Sequence, residues 1–563
     1  MTRRLPLLAA AVAAFVAARP DAPPARGVFE DATKPSGIDF RIATDLRHLK
    51  LIPTMVGGCA FGDYDGDGRP DLFVTSSVPK WGKPNTKRCG RLFHNLGGGR
   101  FEDVTERSGV RACGLGIGAY WADLDGDGRL DLYLTNVGPN AVWWNRGDGT
   151  FEEGRDTGLE DPLFSAGAAF LDYDGDGKID VAVANYLDST PEWEAAQPQF
   201  ELRVPEDYVG QPSHLFRNEG GRRFRNVTRE AGLAMDPRET KTLTVAVIDY
   251  DGDGRPDLFF ANDRAGNRLF RNLGGRFEET TAETGAGVLG ERPRAGMGVT
   301  VGDPFGSGLP SLFVTNFGAE PNSFYRNVSG AIFEDAGAAT GAGEIGKPFV
   351  RWGTGFADFD NDGLPDLYAV GGHLAPRAVR LLGHYKSGAA KYIEEGDSAY
   401  AQPTVLLRNT GARYVEWKGS GDLAGRRMVG RGSAVADVDG DGGLDLFIVD
   451  LTGRARLFRN RVGGERSWVE IAPRSGDDGR AVLGAKVRVT AGGRTQTQWY
   501  GVTSSYASGS LVPLHFGLGD AERVDELEIA WPGGAKQTVR DLPARRVYTI
   551  RPAEEPQPLA EGR

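Results

Sequence analysis

The chain has 563 residues, 81 of them glycine, and a formal net charge of −11. This length allows more than one domain and a large hydrophobic core. An acidic chain offers no case for nucleic acid as a partner, because phosphate backbones are bound by basic surfaces.

The N-terminus is typical of an export signal. Arg3 and Arg4 form a basic segment, residues 5–16 are apolar, and residues 16–18 are a plausible cleavage site. The apolar run is too short to span a membrane comfortably, and no later stretch approaches ~18 apolar residues. We expect a signal peptide at 1–18, a linker at 19–26, and a secreted or periplasmic protein without a transmembrane segment.

Three cysteines follow early in the chain, at Cys59, Cys89 and Cys113. An oxidising compartment permits one disulfide among them. The sequence leaves the three possible pairings open.

An acidic nonapeptide is the most informative motif. Residues 63–71 read Asp-Tyr-Asp-Gly-Asp-Gly-Arg-Pro-Asp, with acids at positions 1, 3, 5 and 9 and glycines where the backbone must turn. Closely packed oxygen ligands suit Ca²⁺ before Mg²⁺. An EF-hand would need an acid at position 12, where this chain has Val74, and flanking helices rather than strands. The pattern therefore predicts a calcium loop between two β-strands.

Six intact copies of this loop predict about six Ca²⁺ sites. In each copy the first, third and fifth Asp would give one oxygen, residue seven its backbone carbonyl, and the ninth Asp both oxygens. The predicted ligands are Asp63, Asp65, Asp67, Arg69, Asp71; Asp123, Asp125, Asp127, Arg129, Asp131; Asp172, Asp174, Asp176, Lys178, Asp180; Asp249, Asp251, Asp253, Arg255, Asp257; Asp358, Asp360, Asp362, Leu364, Asp366; and Asp437, Asp439, Asp441, Gly443, Asp445. A seventh copy at 303–311 has lost three of its four acids and is expected to bind nothing. Because each loop occupies the same place in its repeat, we expect the calcium to be structural rather than catalytic.

The loops belong to a longer repeat. A Phe-Glu segment precedes each loop and a Leu-Phe-Arg-Asn segment follows it, so that four predicted strands recur every ~50–60 residues, seven times. This predicts an all-β fold with a seven-bladed β-propeller over residues 27–465. The strand at Phe29 can complete the last blade and close the ring without a free edge. The alternative is an open superhelical solenoid.

Long insertions interrupt some repeats, at 76–91, 185–213 and 371–404. They bring aromatic residues such as Trp193 and Tyr208, and also His373, His384 and Tyr385. Long loops on a rigid scaffold often form binding sites, although these loops could simply cover the blade ends.

The repeat stops near residue 465. Residues 466–552 predict a small β-sandwich-like domain, with good alternation and a Gly492-Gly493 hairpin turn. Residues 553–563 form a charged Pro/Glu tail that we expect to be disordered.

These motifs amount to a family resemblance. The repeats resemble FG-GAP/VCBS repeats, as in the integrin α-subunit propeller, and the terminal domain resembles the ASPIC/UnbV domain through residues 483–489, 514–519 and 529–534. The order of the two resembles the cartilage acidic protein family. The chain departs from these patterns at the fifth loop and at 501–504. The resemblance implies an extracellular calcium-binding protein and does not supply a reaction.

The leading hypothesis is a non-enzymatic binding or adhesion module for an extracellular glycan or protein. One alternative is an extracellular enzyme acting on polysaccharide, with His373, His384 or Tyr385 as general base. However, the sequence has no Gly-x-Ser-x-Gly, His-Glu-x-x-His or dinucleotide motif. The other alternative is a scaffold that docks secreted proteins through its C-terminal domain.

Overall fold

The computed structural model describes residues 27–42, 51–76, 89–190, 193, 196, 205–287, 292–374, 401–476, 478–501 and 505–559. The predicted signal peptide, the linker, His384 and Tyr385 lie outside these residues.

Seven meanders of four antiparallel strands, here called blades 1 to 7, occur in the described residues, and the sheet of blade 2 gains a fifth, parallel strand from the C-terminal domain. The strands of blades 1 to 4 are Cys59–Gly62, Asp71–Val74, Arg91–Asn95 and Phe101–Asp103; Gly116–Ala122, Asp131–Asn136, Ala141–Asn145 and Phe151–Glu153; Ser165–Leu171, Asp180–Asn185, His214–Gly220 and Arg223–Asn226; and Thr242–Ile248, Asp257–Asn262, Arg268–Asn272 and Phe277–Glu279. Those of blades 5 to 7 are Val299–Gly302, Ser311–Val314, Ser323–Asn327 and Phe333–Asp335; Arg351–Ala357, Asp366–Gly371, Val405–Asn409 and Tyr414–Glu416; and Gly430–Ala436, Asp445–Asp450, Arg456–Asn460 and Phe29–Asp31.

The N-terminal strand closes the ring, as the repeat phase predicts. Phe29–Asp31 pairs antiparallel with Arg456–Asn460, with Phe29 opposite Asn460. The first strands of successive blades pack on one another in cyclic order, and that of blade 7 packs on that of blade 1. The prediction of an all-β propeller is confirmed, and the solenoid alternative is wrong for these residues.

The remaining elements of the propeller are short. The helices are Ile52–Met55, Thr105–Ser108, Thr281–Thr284 and Gly337–Thr340, the 3-10 turns are Pro205–Asp207 and Gly463–Glu465, and a two-residue ladder joins Gln402–Pro403 to Arg427–Met428. Within the described ranges, no helix is long and apolar enough to cross a bilayer. Cys89 and Cys113 form a disulfide, while Cys59 is a buried free thiol.

The C-terminal domain consists of two facing sheets. One contains, in spatial order, Leu514–Gly519, Ser467–Pro473, Arg546–Ile550 and Gln557–Pro558; the other contains Arg494–Trp499, Lys486–Ala491, Arg523–Ala530 and Lys536–Pro543. Buried apolar side chains such as Ile471, Val487 and Leu527 belong to the core of this domain. The predicted small β domain is confirmed. Part of the expected disordered tail is ordered, because residues 557–558 pair with the strand at 546–550.

A segment of this domain, residues 505–511, enters the axis of the propeller. We call it the axial segment. Its strand Ser508–Gly509 pairs in parallel with the first strand of blade 2. The Ser508 hydroxyl accepts the Cys59 N–H (3.2 Å), the Tyr506 hydroxyl donates to the Met55 carbonyl (2.6 Å), and Leu511 N–H donates to the Phe61 carbonyl (2.9 Å).

Candidate metal centre

Six acidic loops lie at one end of the propeller, in blades 1, 2, 3, 4, 6 and 7. Each joins the first strand of its blade to the second. Blade 5 carries the acid-poor loop 303–311 in the same place. Since all seven loops make the same connection, the fold collects the acids predicted from the sequence on one face of the molecule.

The first aspartate of a loop holds the turn together. In the first loop, Oδ1 of Asp63 accepts the N–H groups of Gly66 (2.8 Å) and Asp67 (3.0 Å), and Oδ2 accepts that of Gly68 (2.9 Å). The two glycines have φ values of +78° and +86°, which residues with a Cβ rarely adopt. The second and third loops repeat these bonds.

The ninth aspartate ties the loop to the third strand of its blade. Asp71 is fully buried; its Oδ2 accepts the Tyr64 N–H (3.2 Å) and its Oδ1 accepts the Asn95 N–H (2.8 Å). The other five acidic loops make the same pair of bonds. Each carboxylate oxygen keeps a second lone pair, so these bonds leave room for a cation.

Carboxylate oxygens converge within the loops. In the first and second loops, one carboxylate oxygen from each of the first, third and fifth acids lies within 4.8 Å of the other two. In the third and fourth loops, the same is true of the first, third and ninth acids. In the loops of blades 2, 4 and 6, Oδ1 of Asp125, Asp249 and Asp360 is buried without a hydrogen-bond donor. A buried anionic oxygen is costly unless a cation or donor faces it. The donor set of carboxylates therefore fits a hard cation such as Ca²⁺.

Burial and crowding also raise the pKa values of these acids. Burial is the main cause and nearby carboxylates add to it, raising the pKa of Asp71 and Asp180 to about 7 and that of Asp257 to about 8. The pKa of Asp63 is raised to about 6 for the same reasons. A bound cation would relieve this repulsion.

The residue at position seven has a side-chain role that the sequence analysis missed. Nε of Arg69 donates to the Asn95 carbonyl (2.9 Å), and its guanidinium pairs with Asp67, the fifth residue of the loop. The second and fourth loops repeat both contacts, and Lys178 pairs with Asp176 at 2.6 Å in the third. The long side chain thus compensates the charge of the fifth acid.

The acid-poor loop of blade 5 shows which part of the motif forms the turn. Asp303 still accepts the N–H groups of Ser307 (2.8 Å) and Gly308 (2.5 Å), and the hydroxyl of Ser311 accepts the Asn327 N–H (3.3 Å). The turn therefore persists with a single carboxylate. This loop offers no cluster of acids to a metal ion.

One asparagine per blade joins its loop to the neighbouring loop. It ends the Leu-Phe-Arg-Asn strand, and its side-chain amide donates to the carbonyl of the second loop residue in the preceding blade. The seven are Asn95, Asn145, Asn218, Asn272, Asn327, Asn409 and Asn460, with N···O distances of 2.7–2.9 Å. Asn95 of blade 1 reaches Val438 of blade 7, which completes the ring. The sequence marks these residues only as the end of a recurring strand.

The long insertions contain the aromatic and histidine residues that were predicted as candidates for ligand binding or catalysis. Trp193 is 39% exposed and its ring lies 5.3 Å from that of Tyr208 in a T-shaped arrangement, so these two aromatics come together. His373, the predicted general base, is buried with its ring 5.8 Å from that of Phe317. In this conformation a polysaccharide would not reach its imidazole.

Comparison with known families agrees with the geometry. Residues 63–134, 123–183 and 249–314 match the family described as FG-GAP-like repeat, and residues 476–557 match the family described as ASPIC and UnbV. The chain carries FG-GAP-like repeats and an ASPIC/UnbV domain. The resemblance predicted from the sequence is confirmed.

Curated relatives match this chain over part of their length. Cartilage acidic protein 1 of Homo sapiens is 26% identical over 366 residues, which cover 54% of this chain and 52% of that protein. The Xenopus tropicalis protein of the same name is 26% identical over 349 residues, covering 52% of this chain and 51% of that protein. The chain therefore spans about half the length of the curated relatives it matches.

Solved structures show a weaker likeness. The six-bladed β-propeller lectin of Aleuria aurantia has a TM-score of 0.33 and 10% identity, covering 66% of this chain and 96% of that chain. The biofilm matrix protein Bap1 of V. cholerae has a TM-score of 0.30 and 11% identity, covering 91% of this chain and 76% of that chain. Likeness at this level says nothing about function.

The ASPIC/UnbV domain lies over the end of the propeller that carries the FG-GAP loops. Nζ of Lys486 donates to the Gly308 carbonyl (3.1 Å) in the acid-poor loop, and Nε2 of His515 lies 2.7 Å from Oδ1 of Asn361 in the loop of blade 6. Between the domain and the loops of blades 2 to 5 is a cleft of about 1240 Å³. Trp499 and Trp531 line it, and the buried indole Nε1 of each has no hydrogen-bond acceptor.

Proposed function

We propose that this protein is an extracellular, calcium-stabilised binding module whose ligand is a glycan. Calcium binding is supported by buried carboxylate oxygens that have no hydrogen-bond donor. These oxygens belong to acidic loops that recur at one end of the propeller. In each acidic loop the first, third, fifth and ninth acids would hold the ion, together with the carbonyl of residue seven. The FG-GAP-like repeats support this role.

Calcium in this position stabilises the scaffold. Each ninth aspartate already binds the second loop residue and the third strand, and the loop's second carbonyl receives the asparagine of the next blade. An ion on the same carboxylates would therefore link two strands of one blade and, through the asparagine, the next blade. A catalytic ion would more commonly occupy a single site with an open position.

Three features support an extracellular location. The N-terminal sequence is typical of an export signal. The disulfide Cys89–Cys113 is of the kind that persists in oxidising compartments. Extracellular calcium, at millimolar concentration, would fill sites of modest affinity.

The cleft between the two domains is the surface that best fits a glycan. The exposed guanidinium of Arg488 would donate to sugar hydroxyls, and Thr497, Trp499 and Trp531 line the same cleft. Its volume of about 1240 Å³ exceeds the roughly 300–1,000 Å³ that small-molecule sites occupy. The exposed aromatic pair Trp193–Tyr208 is the competing surface.

Calcium is tested by counting sites. Isothermal titration of chelated protein should give about six equivalents, and the double variant Asp249→Asn/Asp251→Asn should give one fewer. Asp303→Asn, the matched change in the acid-poor loop, should lose none. An unchanged count in the double variant would contradict the assignment of the ligands.

The ligand is tested with immobilised neutral and acidic polysaccharides and matrix proteins, in calcium and in chelator. We expect retention on a polysaccharide that falls at least about tenfold in Arg488→Ala, because a hydrogen bond from a charged group, worth about 1.5–3 kcal/mol, is lost. Loss in Trp193→Ala instead would place the site on the insertion. Retention on matrix proteins alone would contradict the glycan-binding role and favour a scaffold. Release of new saccharide ends would favour an enzyme.

A further inference from the structure

The first acidic loop differs from the other five in the side chain that faces its third acid. In blades 3, 4, 6 and 7 this side chain is the arginine of the Leu-Phe-Arg-Asn strand. The contacts, each to the third acid of its loop, are Arg217 Nε to Asp174 (2.7 Å), Arg271 Nη2 to Asp251 (2.6 Å), Arg408 Nη2 to Asp360 (2.7 Å), and Arg459 to Asp439.

In blade 2 an arginine from a different position faces the third acid of the loop. Its strand has Trp144 where the others have arginine, and Arg222 of blade 3 stacks over that ring (5.0 Å) and places Nε 2.8 Å from Asp125 Oδ2. Charge compensation by a guanidinium is thus the arrangement in five of the six acidic loops. A guanidinium stays protonated and cannot bind a metal ion.

In the first loop an imidazole takes this place. Nδ1 of His94 lies 3.2 Å from Asp65 Oδ2 and 3.1 Å from Asp71 Oδ1, and the three donor atoms fall within 4.8 Å of one another. Asp71 is fully buried and the His94 side chain is 15% exposed. In the metal-free protein Nδ1–H donates to Asp71, but unlike an arginine a histidine can lose this proton and offer the Nδ1 lone pair to a metal ion.

One imidazole and two carboxylates form a ligand set that is intermediate between hard and soft. Imidazole suits Zn²⁺, Cu²⁺, Fe²⁺ and Ni²⁺, whereas Ca²⁺ is bound by oxygen ligands alone. We propose that the first loop, which would otherwise take Ca²⁺ like the other five, prefers a transition metal, with Asp65, Asp71 and His94 as ligands to an ion of the Zn²⁺ class that displaces the Ca²⁺ there. Asp63 and Asp67 cluster with Asp65 and would complete the coordination.

The experiment uses Co²⁺ as a spectroscopic probe and Zn²⁺ as a competitor, on full-length protein in excess Ca²⁺. The hydrogen bond to Asp71 raises the pKa of His94, so a proton competes with the metal and the titration is run near pH 8. We expect one equivalent of Co²⁺ to give a visible d–d spectrum that one equivalent of Zn²⁺ removes. Absence of Co²⁺ binding in excess Ca²⁺ would overturn the proposal.

The variant His94→Arg installs the side chain that blades 3, 4, 6 and 7 already use. It should weaken Co²⁺ and Zn²⁺ binding by at least about 10-fold, since even the loss of an outer-shell partner costs 10–100-fold. The control is His214→Gln, because His214 faces a single carboxylate, Asp161, at 2.7 Å. Equal Co²⁺ binding in His94→Arg and wild type would overturn the assignment.

Two further measurements test the metal site if the variant does not fold, and separate this proposal from the proposed function. If His94→Arg does not fold, pulsed EPR of the wild type loaded with one Cu²⁺ in excess Ca²⁺ should show ¹⁴N coupling from the imidazole, because imidazole suits Cu²⁺, and a spectrum without it overturns the proposal. The Ca²⁺ isotherm is recorded on the same preparation. A normal calcium count without Co²⁺ binding would refute this site alone, whereas loss of calcium binding would refute the proposed calcium-stabilised module.

Discussion

Asparagine side chains connect adjacent blades where the sheets themselves share no hydrogen-bonded strands. The amide of Asn272 donates to the Tyr173 carbonyl (2.9 Å) in blade 3 and to the Pro256 carbonyl (3.1 Å) in its own loop, and it is fully buried. A buried carbonyl that loses its donor keeps the full cost of desolvation. The ring of asparagines therefore stabilises the loop end whether or not a blade binds metal, as Asn327 in blade 5 illustrates (2.8 Å to the Tyr250 carbonyl).

Replacing one of these residues tests the ring. Asn272→Ala should lower the free energy of unfolding by about 2–3 kcal/mol, because two buried carbonyls lose their donor. Urea unfolding in saturating Ca²⁺ measures this. Glu278→Ala, an exposed position on the adjacent strand, should change it by less than about 0.5 kcal/mol. Equal losses in the two variants would show that the amide bonds contribute little.

The axial segment is the element that fixes the two domains to each other. Ser508 and Tyr506 bond to backbone atoms of blade 1 and the residues before it, and Ser505 Oγ accepts the Thr354 N–H (2.9 Å) of blade 6. The inner strands must leave space for this segment, which explains why they are rich in Gly and Ala. A Cβ on Gly58 would clash with the carbonyl oxygens of Ala507 and Ile117.

The variant Gly58→Ala tests that close approach. We expect a loss of about 3 kcal/mol in the free energy of unfolding, at the upper end of what overpacking typically costs, since both clashing atoms are backbone. Gly476→Ala is the matched control, because nothing lies within 4 Å of its added Cβ. Wild-type stability in Gly58→Ala would mean that the axial segment does not pack as described.

At the scale of the whole molecule, the propeller and the ASPIC/UnbV domain share one buried interface. Trp499 of the domain belongs to the same apolar cluster as residues of blades 3 and 4, and residues of blades 1 and 2 cluster with the core of the domain. An interface of this kind does not separate without exposing both cores to water. We therefore expect the two domains to unfold in one step.

Native-state hydrogen exchange tests this expectation. The N–H of Leu511, bonded to Phe61 of blade 1, should exchange with the same opening free energy as the amides of inner propeller strands such as Val245, and chelation of Ca²⁺ should lower both together. The amide of Val489, within a sheet of the domain, is the comparison for the domain itself. Faster exchange of Leu511 and Val489 than of Val245 would indicate that the domain detaches first.

The sequence by itself determined the features that repeat over short distances. Alternating strands, the spacing of acids in the loop and the phase that pairs Phe29 with the last blade are all local patterns, and the structure confirms the fold they predict. The sequence also located the acids that cluster. Their binding of calcium stays a prediction.

Tertiary structure alone decided what lies next to what across the ring. Cys59 and Ser508 are 449 residues apart, Asn95 and Val438 are 343 apart, and no periodic pattern records either contact. The same holds for the choice of Cys89–Cys113 among three pairings and for the cleft under the ASPIC/UnbV domain. In the sequence, His94 is visible only as a histidine at the arginine position of the Leu-Phe-Arg-Asn strand. Only the closed fold places its nitrogen beside Asp65 and Asp71, because side-chain packing between distant segments has no local signal.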